Sequence, residues 1–370
     1  MFRQYRFRNY NFRLVIFVIA LGLIGYLAVG SAQESLRQRQ MFGIVLGIGL
    51  MLFLSFADYS VYRYMYWIFY VFNIVLLALV LSPLGVEVNG SKRWINIGFQ
   101  FQPSELAKIL LILFFAQFIM KYKDKINSPR ILVTLVLLLA VPLYLVYKEP
   151  DLSTSIMIIV TFCVMVFVGG LSYKIVFALL AVLIPAVVAF FAIILKPDAE
   201  ETILHGYQVT RILAWLEPEK YADSTAYQQL NSITAIGSGQ LFGKGLDNNV
   251  IASVKNGNFI SEPQTDFIFA IVGEELGFVG SAGVVILVLL IVWECLLIAR
   301  NAKDLAGSLI ASGVAGLIGL QAFLNIAVAT GLAPNTGIPL PFVSYGLTSL
   351  VSLFGAIGIV INIGLQSKKH

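Results

Sequence analysis

Residues 260–277 read ISEPQTDFIFAIVGEELG and put four carboxylates, Glu262, Asp266, Glu274 and Glu275, at the edge of and inside a strongly apolar run. Ionisable groups at membrane depth are costly and by default mark a functional site. Two further segments repeat the pattern. GSKRWINIGFQFQPSELAK (90–108) supplies Lys92, Arg93, Trp94, Glu105 and Lys108, and KEPDLST (148–154) supplies Lys148, Glu149 and Asp151. A carboxylate at the rim of a partly apolar cavity can be tuned to take a proton from a hydroxyl, which makes Asp266 a candidate general base. Its plainest alternative is to cap the helix that begins after Pro263.

If that helix starts near Thr265, Asp266, Ala270, Gly273 and Glu274 share a face, with Glu274 roughly 12 Å deeper than Asp266. Glu274 and Glu275 then need partners, such as Lys108 or a polar helix end. Lys108 stands one turn from Glu105, where an intrahelical pair is expected. Arg93, Lys108, Arg211 and Lys244 are the cations able to neutralise an anionic group. The run GSGQLFGKG (237–245) fails as a nucleotide-phosphate loop, because Ser238 replaces a required glycine and Gly245 stands where Ser or Thr is needed. Its amides and Lys244 still suit an anion on the outer face. With only His205 and His370, and with Cys163 and Cys295 both inside apolar spans, histidine-rich metal, Ser-His-Asp and disulfide chemistries are disfavoured.

The elements that must position these groups follow from composition. The chain has 370 residues, of which 59% are hydrophobic and 12% charged, about half the charge of a soluble domain, roughly 25%. It reads as one all-α polytopic membrane domain over 1–370, with about ten spans near 14–30, 41–57, 65–82, 104–120, 131–147, 152–170, 174–195, 266–298, 305–330 and 345–366. Leu14–Val29 is read as the first of these rather than as a cleaved leader. The net charge of +5 lies in short clusters between spans, which fits orientation rather than nucleic-acid binding. Arg3, Arg6, Arg8 and Arg13 at one end and Lys368 and Lys369 at the other place both termini in the cytoplasm. Most acids then fall outside, so the site is expected to face outward. The long outer segment 196–265 mixes aromatic, apolar and charged residues and is expected to fold along the interface. GLAPNTGIPLPFVSYG (331–346) is too broken for a helix and reads as a re-entrant cavity wall. Gly307, Ala311, Ala315 and Gly319 form a small-residue stripe, either an internal helix contact or a site for a partner's transmembrane helix.

GSKRWINIGFQFQPSELAK, EPDLST, AIGSGQLFGKGL, PQTDFIFAIVGEELGFVG and TGIPLPFVSYG, in this order on ten spans, resemble the SEDS family of bacterial wall polymerases, which includes RodA and FtsW. TGIPLPF leans toward the elongation member. The resemblance implies a peptidoglycan glycosyltransferase that joins lipid II units outside the cytoplasmic membrane beside a class B penicillin-binding protein. Asp266 would be the base, and undecaprenyl pyrophosphate would leave with inversion. Trp94 would line the substrate cavity and Glu262 would orient Asp266 or touch the acceptor. Arg93, Lys108, Glu105, Glu149, Asp151, Arg211, Lys244 and Thr265 complete the expected substrate-binding set. A magnesium or manganese ion on Asp266, Glu149 or Asp151 could share the charge neutralisation. Two other classes fit the same spans: a lipid II flippase or other transporter, and a non-enzymatic scaffold for wall synthesis.

Overall fold

The computed structural model describes residues 10–88, 91–96, 98–194, 206–246, 253, 257 and 259–367. Arg3, Arg6, Arg8, Lys368 and Lys369 lie outside the described residues, as do 196–205, 247–252, 254–256 and 258 of the long segment 196–265.

In chain order the elements are α1 (Phe12–Ala32), α2 (Glu34–Phe56), α3 (Ser60–Tyr64), α4 (Tyr66–Leu81), β1 (Gly85–Val88), β2 (Ser91–Asn96), β3 (Gln100–Phe101), α5 (Pro103–Lys121), α6 (Pro129–Lys148), α7 (Leu152–Val168), α8 (Tyr173–Ile194), α9 (Gly206–Leu216), α10 (Tyr227–Ser238), α11 (Ile268–Arg300), α12 (Leu305–Ala329) and α13 (Leu347–Leu365). The ten expected spans are α1, α2, α4 to α8 and α11 to α13. Seven are long and apolar enough to cross a membrane, and the other three are shorter apolar helices. Their ends follow local chemistry. Side chains of Asn11, Ser128, Asp151 and Asp304 cap α1, α6, α7 and α12 by accepting from amides three residues on, and prolines open α5 and α6.

The all-α expectation needs one amendment. The loop between α4 and α5 folds as a three-stranded antiparallel sheet, β1–β2–β3, with Trp94 opposite Val86 and Ile95 opposite Phe101.

Helices α5, α12 and α13 form the buried centre, and α12 packs on α5, α7, α11 and α13. This decides the small-residue stripe against a partner. Ala311 and Ala315 are fully buried, a Cβ on Gly307 would meet Ile363 of α13 at 3.1 Å, and one on Gly319 would meet Val292 of α11 at 3.4 Å. The small side chains let these helices close on one another inside the molecule.

Helix α11 is broken at Gly277 (φ 65°, ψ −160°). A break frees backbone groups that lipid cannot satisfy, and the loop after α10 satisfies them. Lys244 N and Gly245 N donate to Glu274 O and Glu275 O at 2.9 and 3.0 Å, while Phe278 N and Val279 N donate to Gln240 O and Leu241 O at 2.8 and 3.1 Å. A Cβ on Gly277 would sit 2.3 Å from Gly243 N, so only glycine permits the approach.

Candidate active site

Asp266 precedes α11 instead of starting it. Residues 263–267 are turns, and the cap position belongs to Phe267 with no side-chain cap bond, so Asp266 is not a helix cap. Its backbone is held from two sides. The carbonyls of Gln264, Thr265 and Asp266 accept from Tyr345 N (2.8 Å), Ser344 Oγ (2.6 Å) and Asn325 Nδ2 (2.8 Å). Its side chain is partly exposed and lies over Gly337, where a Cβ would come within 3.4 Å of Oδ2. Gly337 has φ +72°, so the absence of a side chain serves both the turn and the carboxylate.

Arginines from two distant elements face this acid. Arg93 on β2 donates from Nε to Glu149 O at 3.2 Å and from a terminal nitrogen to Pro150 O, and stands 4.0 Å from Asp151 Oδ2. Arg211 on α9 donates to Asn335 O at 3.3 Å. Burial pushes the Asp266 carboxyl up to about 6; Arg211 and Arg93 pull it down, while Glu262 and Asp151 push it up. A carboxyl near 6 is ionised at neutral pH yet basic enough to accept a proton.

The carbonyls of residues 331–339 show why this broken segment can form a wall. They accept from Trp215 (Gly331 O, 2.9 Å), Gln229 (Ala333 O, 2.7 Å), Arg211 (Asn335 O), Ser153 (Thr336 O), Asn325 (Ile338 O, 2.7 Å) and Gln321 (Pro339 O, 3.0 Å). Four helices, α7, α9, α10 and α12, thus tie down a strap without regular structure. Gln321 and Asn325 are functional candidates that the charged-residue pattern does not single out. The signal was present: two amides four residues apart on an otherwise apolar span.

Several expected site residues are engaged elsewhere. Lys108 closes a 2.8 Å pair with Glu105, both buried, and adds a 3.5 Å contact to Gln321 Oε1, so the intrahelical pair holds and Lys108 does not partner Glu274 or Glu275. Lys244 pairs with Glu274 at 2.7 Å, Ser31 donates to Glu275, and the amides of Lys244 and Gly245 are bound to carbonyls. That loop braces the broken helix instead of cradling an anion. Thr265 Oγ1 donates to Glu262 O at 2.9 Å and shapes the turn. Trp94 is half-buried on β2.

The three carboxylates suggested for a divalent ion do not act as a set. Asp151 accepts from Thr154 N at 3.0 Å and Thr154 Oγ1 at 2.9 Å. Glu149 is fully buried, and burial first, then Asp151, pushes its carboxyl up to about 9 against the pull of Arg93. Among the described residues no three His, Cys, Asp or Glu cluster as metal ligands.

Ten apolar helices carrying an acid of raised pKa under the electrostatic pull of two arginines define a multi-pass membrane protein with a candidate catalytic site. The chain belongs to the FtsW/RodA/SpoVE family, described as cell cycle proteins, whose profile matches residues 8–369. Over 96% of its length it is 35% identical to stage V sporulation protein E of Bacillus subtilis, covering 97% of that protein. It is 33% identical to the probable peptidoglycan glycosyltransferase FtsW of Taylorella equigenitalis, over 95% of this chain and 93% of that one. A chain solved in work on the structural coordination of polymerization and crosslinking by a peptidoglycan synthase complex superposes with a TM-score of 0.76 at 30% identity, covering 96% and 97% of the two chains. The rod shape determining protein RodA of Thermus thermophilus superposes with a TM-score of 0.69 at 28% identity, covering 98% of each. The activity these relatives define is that of a peptidoglycan glycosyltransferase.

Proposed function

We propose that this enzyme polymerises lipid II on the outer face of the bacterial cytoplasmic membrane, with both termini inside and Asp266 as general base. The acceptor's 4-hydroxyl oxygen attacks the anomeric carbon of the donor strand. Its proton passes to Asp266, and undecaprenyl pyrophosphate departs with the electron pair of the broken carbon–oxygen bond. One displacement inverts the anomeric centre and needs no covalent enzyme intermediate. A pyrophosphate is already activated, so it needs charge neutralisation more than a strong acid. Arg93 and Arg211 are suited to that task, and Trp94 to stacking on the sugar or lipid. The observation that carries the reading is the partly open Asp266 carboxylate, raised to about 6 against the pull of two arginines and relieved of any helix-capping role.

The broken helix α11 resembles those of transporters, where unwound backbone binds ions. Here the loop 239–245 occupies that backbone, which favours chemistry over transport. A class B penicillin-binding protein is the partner we assign, in keeping with the synthase complex to which a structural relative belongs. The TGIPLPF strap favours a role in elongation; rounding of depleted cells would support that role and filamentation would oppose it.

The test is strand synthesis from lipid II by the purified full chain with its partner. Asp266→Ala should lower the rate at least 100-fold, the scale of a lost general base, roughly 10²–10⁴. The wild-type kcat/KM should fall as pH drops through about 6, because protonation removes the base. Equal synthesis by the two proteins rejects Asp266 as base, and lipid flipping without polymer favours the transporter.

A further inference from the structure

Asn325 sits on α12, 1% exposed, 59 residues along the chain from Asp266. Its single amide nitrogen donates two bonds, to Asp266 O at 2.8 Å and to Ile338 O at 2.7 Å. Ile338 follows Gly337, the residue over which the Asp266 carboxylate lies. One amide group therefore fixes both the backbone that carries the acid and the strap surface on which its carboxylate rests.

We propose that Asn325 is a positioning residue for the reaction, setting the Asp266 carboxylate against the strap through this two-way bond. The proposal rests on the reading of Asp266 as the base. An apolar side chain at 325 would remove this donor from a buried carbonyl, that of Ile338, and from a partly buried one on the catalytic residue itself. The peptide plane after Asp266 would then be free to turn, and its carboxylate to drift from Gly337.

Gln321 supplies the internal comparison. One turn away on the same helix and also fully buried, it donates to the strap at Pro339 O but makes no bond to the 264–266 backbone. A residue that merely anchors the strap should behave like Gln321, whereas a residue that positions the acid should not.

The experiment measures lipid II polymerisation by purified full-length Asn325→Ala, Gln321→Ala and Asp266→Ala, each with the partner present and each compared by melting temperature. We expect Asn325→Ala to lower kcat by tenfold to roughly 100-fold, the order seen when a reacting group is misplaced by about 1 Å. KM for lipid II should stay within about threefold, the mark of an interaction needed mainly at the transition state. The acid limb of its pH–rate profile should move down from the wild-type position, because a released carboxyl gains solvent. Gln321→Ala should lose melting temperature without moving that limb. Asn325→Ser, which keeps one donor, should recover part of kcat, and it carries the same readouts if the alanine variant does not purify folded. Matching behaviour of the two α12 variants overturns the proposal, as does an unchanged kcat and acid limb in Asn325→Ala. Full activity of Asp266→Ala would instead remove the catalytic reading, whatever Asn325 does.

Discussion

The molecule handles buried charge in two ways. Around α5 and the broken part of α11, lysines close tight pairs: Lys108 with Glu105 at 2.8 Å and Lys244 with Glu274 at 2.7 Å. Near Asp266, Arg93 stays 4.0 Å from Asp151 and directs two of its nitrogens to the main-chain oxygens of Glu149 and Pro150. A lysine ammonium is a compact point charge that one carboxylate can cancel, whereas the guanidinium fork is held by carbonyls and keeps its charge. The lysine pairs are therefore internally neutral braces. The arginines leave a positive field at Asp266 and Asp151 that no single carboxylate cancels.

Breaking a brace should produce the largest change in stability. Lys108→Met leaves the Glu105 carboxylate buried without its cation, and removing one partner of a buried pair costs about 3–5 kcal/mol. Melting of the detergent-solubilised protein should show this loss, with most of it recovered in the double variant Lys108→Met, Glu105→Gln. A single variant as stable as wild type would mean that the pair is not a brace. Disturbing Arg93 should do the reverse. Arg93→Lys keeps the charge but loses the fork, so melting should hardly move while strand synthesis falls roughly tenfold. A large drop in melting temperature with normal activity per folded molecule would erase the distinction between the two regions.

The same contrast marks what the sequence could reveal. Helix positions followed from apolar run length, because the bilayer fixes that length; nine spans match within two residues at each end, while α2 begins at Glu34, seven residues before the expected start. Charges placed next to apolar runs singled out Arg93, Asp151 and Asp266, whereas Arg211 stood only as one of four candidate cations. Partner choice was not legible. The i,i+3 spacing offered Lys108 the Glu105 partner that it takes, but nothing in it excluded Glu274 or Glu275, and the GSGQLFGKG glycines fit either an anion cradle or close backbone packing. Only the break at Gly277, invisible in a pattern that stays apolar through VGEELGFVG, decides for packing. Nor could periodicity show that Asn325 and Gln321 reach carbonyls of a strap, since those bonds depend on how the non-helical chain returns across α12. The short sheet was equally hidden, its strands being only two to six residues long.

Glu149 shows a third way to bury a charge, which is to keep the proton. Neither carboxyl oxygen has a hydrogen-bond partner among the described residues, and the folded chain holds its carboxyl at about 9 against an ordinary value of 4.5, through burial first and Asp151 second. Between those values the folded chain binds a proton that the unfolded chain has released, so stability falls as pH rises from about 4.5 to about 9 and levels off above that. Glu149→Gln cannot ionise and removes this slope. It spares the bond from Arg93, which goes to the main-chain oxygen of residue 149. The variant should melt with wild type near pH 4.5 and progressively above it toward pH 9, the smallest of these effects at low pH and a clear one at high pH. Parallel melting curves across the whole range would mean that Glu149 is ionised in the fold, and the site would then carry one more negative charge beside Asp151 than the arginines are here taken to balance.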